Sequence, residues 1–211
     1  MFLTLFLLRE MIKFEDNNKK GFTLIELLVV MGILGILMAV TILVINPAEY
    51  LARSRDTQRI NDLGAINSAL GIFTANGGTV SGTTDCRLSA IAAVSTTATI
   101  TCNGSHTTAT LGTNAAARAV DGTGWVNVAF NSAAYFPGGS PFAALPIDPK
   151  NTTAYYYVYG ANSTGQYELD ANNLESTYYN TTQNSDGNDG GNNANAYEVG
   201  TNLTINALGS S

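Results

Sequence analysis

The first residue in this chain whose type and place call for chemistry is Glu26, a carboxylate four positions after Phe22 in the apolar run "FTLIELLVVMGILGILMAVTILVI". An ionisable group in a membrane-length segment is costly, and it marks a pairing or functional site unless it lies near enough to the end to reach the headgroups. Snorkelling accounts for Glu26 in an isolated helix. If the chain is cut between Gly21 and Phe22, the new α-amino group of Phe22 becomes a cation at the edge of the apolar phase. Glu26 is then its natural counter-charge, in the same helix or in a neighbouring one.

Other chemistry is sparse. His106 is the sole histidine and sits in the polar stretch "NGSHTT". No triad can be assembled around it. One His and two Cys cannot make a zinc cluster, and no Gly-rich phosphate loop follows a strand. An enzyme is not expected. Cys86 and Cys102 stand 16 positions apart, which suits one loop-closing bridge in an oxidising compartment or two buried thiols. The stretch "NSDGNDGGNNAN", Asn184 to Asn195, sets oxygen-bearing side chains on a turning backbone. Asp186, Asn188 and Asp189 could ligate a hard cation such as Ca²⁺, but the spacing is not that of an EF-hand, and composition alone favours a solvated loop. Glu168 and Asp170 on the preceding strand could contribute, with nothing in the sequence to fix their distance.

Three kinds of segment must position these groups. Residues 1–21 form a leader-like segment containing Lys19 and Lys20. Its opening "MFLTLFLL" is unusual, and a start at Met11 gives a shorter, charged leader. Phe22 to Ile45 spans 24 residues, or about 36 Å as a helix, enough to cross a bilayer core. A cleaved secretory signal has a shorter apolar core with a small-residue site after it. Residues 46–78 continue as an amphipathic helix. Leu51, Ile60, Leu63, Ile66, Leu70 and Phe73 make its apolar stripe, while Arg53, Arg55, Asp56, Arg59 and Asp62 take other faces. Helix is thus expected from Phe22 to Phe73, with a kink or a restart near Asn46-Pro47, where Pro fits a first turn, and with "NGG" at Asn76–Gly78 ending it. Residues 79–211 read as a β-rich head: "GWVNVAF" as a strand, "AYYYVYG" and "QYELDA" as a hairpin, and "YEVGTNLTI" as a last strand.

The net charge is −6. From Thr74 onward Arg87, Arg118 and Lys150 face nine acidic residues, so the head is acidic. No direct nucleic-acid partner is expected, because a phosphate backbone requires a basic surface.

The stretch "KKGFTLIELLVV" resembles the N-terminal processing motif of type IV pilins and of the pseudopilins of type II secretion systems: basic residues, Gly, Phe, Thr-Leu-Ile-Glu, then an apolar helix. The head resembles the family only through "LPIDP", which is similar to the "LPxDP" segment of major pseudopilin-like subunits. The resemblance implies an α+β, pilin-like fold, with a long N-terminal helix packed on a small antiparallel β-sheet head with long loops. It implies that a prepilin peptidase cuts after Gly21 on the cytoplasmic side and N-methylates Phe22, and that Glu26 pairs with the Phe22 amine of a neighbouring subunit. Lys19 and Lys20 would stay cytoplasmic and set the orientation. Expected partners are the peptidase, identical subunits in a helical filament, an inner-membrane assembly platform and a separate assembly ATPase.

The expected location is the inner membrane, single-pass with the N-terminus inside and the C-terminus outside, and then a periplasmic or extracellular filament. The resemblance also implies a calcium site in a late loop, here that of Asp186, Asn188 and Asp189. Two uses compete. A pilus subunit is suggested by the long Ser/Thr/Asn-rich insert from Gly77 to Val120. A major pseudopilin pushing exoproteins outward is suggested by "LPIDP" and the acidic loop. An uncleaved, membrane-anchored binding ectodomain is the alternative from another class. The chain departs from the family where many members carry a proline in the apolar helix and it has Leu43; its nearest proline is Pro47.

Overall fold

The computed structural model describes residues 21–80, 85–89, 108–111 and 118–205. Lys19, Lys20, Met11, Cys102 and His106 lie outside the described residues. The chain divides into two compact units, Met1–Asn46 and Pro47–Ser211.

In the first unit, helix α1 covers Leu24–Ile45. Thr23 caps it: its hydroxyl accepts from the Glu26 amide at 3.2 Å, and Glu26 Oε2 accepts from the Thr23 amide at 2.8 Å, a reciprocal capping box. The stretch Leu24–Ile42 is long and apolar enough to cross a membrane, and none of it is buried within the chain. Such a helix satisfies its backbone internally. Its one hydroxyl, on Thr41, does the same by donating to the Leu37 and Met38 carbonyls at 3.0 and 2.9 Å. The helical stretch from Phe22 to Phe73 breaks at Asn46-Pro47, where a kink or restart is expected. α1 ends at Ile45, and Asn46 takes a left-handed conformation (φ 44°) with its amide donating to Ile42 O. Pro47 disfavours helical geometry at the residue before it, and Asn is among the few residues that tolerate the left-handed region.

The second unit is built on α2, Pro47–Ala75, and a five-stranded sheet. The strands are β1 Asp85–Leu88, β2 Thr108–Leu111, β3 Tyr157–Ala161, β4 Tyr167–Asn172 and β5 Ala196–Gly200, in the order β2-β1-β3-β4-β5. The pairs β1–β3, β3–β4 and β4–β5 are antiparallel, while β2 pairs parallel to β1 at the edge. The long segment between β1 and β2 permits that parallel pairing, which a tight turn cannot. Leu63, Ile66, Leu70 and Phe73 of α2 enter one core with Trp125, Phe130, Tyr157, Tyr159, Tyr167 and Leu169. Gly77 ends the helix at φ 85°, and the Gly78 amide bonds to Phe73 O at 2.9 Å.

Two expectations need correction. Leu51 is 60% exposed and Ile60 half-buried, whereas Asp56 and Arg59 are fully buried. The N-terminal half of α2 therefore buries Asp56 and Arg59 beside Ala52 and leaves Leu51 outside, because distant loops supply the matching groups. "GWVNVAF" is core but not strand: it makes only the isolated bridge Asp121↔Ala129. Trp125 and Val126 are both buried, a pattern that an alternating strand with one wet face does not produce.

Candidate functional site

The segment around Gly21 is an exposed platform. Phe22 is 89% exposed, and the described apolar side chains of α1 after it are exposed. Glu26 sits one turn in. Its Oε2 accepts from both the amide and the hydroxyl of Thr23, at 2.8 and 2.7 Å. Both bonds fall on one oxygen, so Oε1 keeps its capacity for another donor, such as an ammonium group. The capping box thus orients the carboxylate toward the helix start, where a new amino terminus would be.

The second constellation is one the sequence did not reveal. Arg59 is fully buried and reaches three carboxylates. Its Nε and Nη2 form a two-pronged pair with Asp148 at 2.6 and 3.1 Å, its Nη1 bonds Asp56 at 2.7 Å, and its Nη2 bonds Glu175 at 2.7 Å. Arg55 and Lys150 also bond Glu175, each at 2.7 Å. Asp56 in turn accepts the amides of Glu175 and Ser176, and Asp148 those of Lys150 and Asn151. Three cations meet three anions, so the cluster is neutral, and the backbone amides satisfy the remaining lone pairs. Burial pushes the Glu175 carboxyl up, but hydrogen bonds from Arg55, Lys150 and Arg59 outweigh it and bring it down to about 2. Burial opposes the charge on Arg59, and Asp148 and then Glu175 overcome that and keep it protonated. Asp148 belongs to "LPIDP", so this segment clamps α2 to the head. The only hint in the sequence was an Asp between two prolines.

The acidic loop is ordered by its own backbone. Asp186, 7% exposed, accepts from the Gly187 amide at 3.1 Å. Asp189 Oδ1 accepts from Gly191 at 2.8 Å and its Oδ2 from the Glu198 amide at 2.6 Å. Asn188 is exposed and donates to Gln183 O. The carboxylates that the structure gathers lie beneath, on the strands: Glu168, Asp170 and Glu198. Glu168 and Asp170 at i and i+2 share a strand face by sequence alone; Glu198 joins them because the register sets it opposite Asp170. Cys86 is buried and disulfide-bonded.

The model of the prokaryotic N-terminal methylation motif matches residues 16–42. This is the type IV pilin and pseudopilin signature. It covers Gly21, Phe22, Glu26 and most of α1, and it marks the chain as a pilin-like or pseudopilin substrate of a prepilin peptidase, anchored by an apolar N-terminal helix. No curated protein and no solved structure matches the chain. The pilin signature and the α+β fold therefore agree: a membrane-length helix precedes a small head built on an open, mainly antiparallel sheet.

Proposed function

We propose that this chain is a structural subunit of a type IV pilus-like filament. It inserts in the inner membrane with its N-terminus inside, is cut after Gly21, is methylated on Phe22, and assembles by packing α1 against the α1 of other subunits. The observation that carries the reading is the methylation motif running onto a helix whose membrane-length stretch, Leu24–Ile42, has none of its residues buried. Neighbouring α1 helices would replace lipid contact, and Gly32 and Gly35 would allow close approach. Glu26, with one oxygen already held by Thr23, offers the other to the Phe22 ammonium of a neighbour; pairing neutralises two charges that lipid disfavours. The chain carries no nucleotide motif, so the energy comes from a separate ATPase. The buried Arg59 cluster would make α2 and the head move as one when a filament is pushed or pulled.

A major pseudopilin of a type II secretion system is the second reading, favoured by the "LPIDP" segment. Neighbouring genes separate the two: a retraction ATPase for the pilus, a secretion outer-membrane channel for the pseudopilus. An uncleaved anchored ectodomain makes Glu26 dispensable. The test is Glu26→Ala in the native host, scored for membrane insertion, cleavage and sheared filaments. Insertion and cleavage should persist while filament yield drops at least tenfold. Normal filaments would remove the assembly role of Glu26.

A further inference from the structure

Among the described residues of the second unit, three large apolar side chains stand exposed: Tyr50, Leu51 and Ile72. Two of them are adjacent, in the first turn of α2, at 59% and 60% exposure. They belong to a built cluster. The Arg53 guanidinium lies over the rings of Tyr50 and Tyr178, at 5.6 and 4.5 Å from their centres. Tyr178 meets Tyr179 edge to face at 5.0 Å, and the Tyr179 hydroxyl is 3.1 Å from Thr57 Oγ1. Glu49 fixes the arrangement. Its carboxylate accepts the amides of Thr177 and Tyr178 at 3.2 and 3.1 Å and Arg53 Nε at 3.3 Å. The turn Tyr178–Thr182 buries none of its residues, and positions 177–185 carry no charge.

This chemistry suits the boundary between lipid and water. A tyrosine has an apolar ring and a polar tip, and an arginine has an apolar stem and a head that bonds phosphate. Tyrosine is enriched where a membrane meets water for that reason. Chain length puts the cluster within reach of that layer. Only Asn46 separates Ile45 of α1 from Pro47 of α2. Ile45 to Pro47 spans at most about 7 Å and Pro47 to Tyr50 rises about 4.5 Å, so Tyr50 stands within about 12 Å of the end of α1 whatever the angle between the helices. The headgroup region is about 5–8 Å deep on each side of the hydrocarbon core. A second helix is the poorer fit. On the side of α2 that carries Leu51, the next exposed residues are Ser54, Gln58 and Asn61, so the apolar surface does not run on as a stripe to pack against.

We propose that Tyr50, Leu51, Arg53, Tyr178 and Tyr179 seat the start of the second unit in the phospholipid headgroup layer, on the side of the membrane where α1 emerges. The seat rests on the membrane insertion of α1 proposed for this chain. Tyr50 and Leu51 enter the layer, Arg53 meets lipid phosphate, and Tyr178 and Tyr179 hold the uncharged turn against the surface.

The test uses the full chain reconstituted in vesicles of phosphatidylethanolamine and phosphatidylglycerol. A nitroxide label is attached in turn to Thr177→Cys, Ser68→Cys and Ile36→Cys, all exposed positions; Cys86 is disulfide-bonded and does not take the label. Power-saturation electron paramagnetic resonance compares collision with oxygen, which partitions into lipid, and with a water-soluble nickel chelate. The expected result is an Ile36 label protected from nickel, and an oxygen-to-nickel ratio at Thr177 roughly fivefold or more above that at Ser68. The double variant Tyr50→Ser, Leu51→Ser should bring the Thr177 ratio down to that of Ser68, with Trp125 fluorescence unchanged to show an intact fold. A Thr177 label as open to nickel as that on Ser68, beside a protected Ile36, overturns the seat alone. An Ile36 label open to nickel overturns the insertion of α1 and the seat with it. Protection of Thr177 that vanishes on dilution to one chain per vesicle overturns the seat in favour of contact between chains. Protection that survives in the double variant overturns the role of Tyr50 and Leu51.

Discussion

Replacing Arg59 by Met removes the one cation common to Asp56, Asp148 and Glu175 and leaves the buried cluster with one excess negative charge. The loss is uneven. Glu175 retains Arg55 and Lys150, and Asp56 retains two backbone amides. Asp148 keeps amide donors on Oδ1 only, so its Oδ2 loses the 2.6 Å bond from Arg59 Nε. Breaking a buried ion pair from one side costs about 3–5 kcal/mol. At about 2–4 °C per kcal/mol for a chain of this size, the melting temperature should fall by about 6 to 20 °C. Arg59→Lys keeps the charge but not the two-pronged fit, and should lose less than half as much. The reporter is the fluorescence of Trp125, the sole tryptophan, 1% exposed beside Pro146, whose carbonyl accepts its indole N–H. A fall below about 2 °C for Arg59→Met would refute the claim that buried charge, rather than the aliphatic stripe, fixes the first half of α2.

Other outcomes follow from the same structure. Glu175 has its pKa lowered from 4.5 to about 2. A depressed carboxyl contributes stability above its unfolded pKa and loses it as pH falls, so roughly 3 kcal/mol should disappear between about pH 4.5 and 2 in acid titration of the unfolding free energy. Glu168 is shifted the other way by burial, then by Asp170 and Glu198. A raised carboxyl stabilises the folded state below its unfolded pKa and loses that contribution as pH rises to the folded value, so the unfolding free energy should decline from about pH 4.5 toward about 10, and Glu168→Gln should remove that decline; an unchanged slope in the variant would contradict the burial of Glu168 as the cause. Reducing the disulfide of Cys86 should lower stability by about 3 kcal/mol, the value for a loop of some 15 residues closed by Cys102; peptide mapping without reductant identifies the partner.

The sequence made the long-range geometry visible only where a single element carries it. Glu26 in its apolar run, the α2 positions Leu63, Ile66, Leu70 and Phe73, and the hairpin of β3 and β4 all follow from local periodicity and turn residues. Asp56 and Arg59 looked like surface residues because their partners, Asp148 and Glu175, are 89 or more positions away. Trp125 to Phe130 read as a strand because its composition suits one, yet the ladder partner is missing and the backbone turns instead. The oxygens of "NSDGNDGGNNAN" drew attention to the loop. Much of its polar capacity holds its own backbone, and the denser carboxylate cluster below needs the β4–β5 register to be seen.

The central claim is that the Gly21–Phe22 bond is a maturation site and that the helix beyond it is an assembly surface. Intact-mass and N-terminal peptide mass spectrometry of the protein from native membranes tests it most directly. The account predicts a chain beginning at Phe22 and heavier by one methyl group on its α-amino nitrogen. A protein that retains Gly21 and the residues before it would contradict the account and leave α1 as an ordinary anchor.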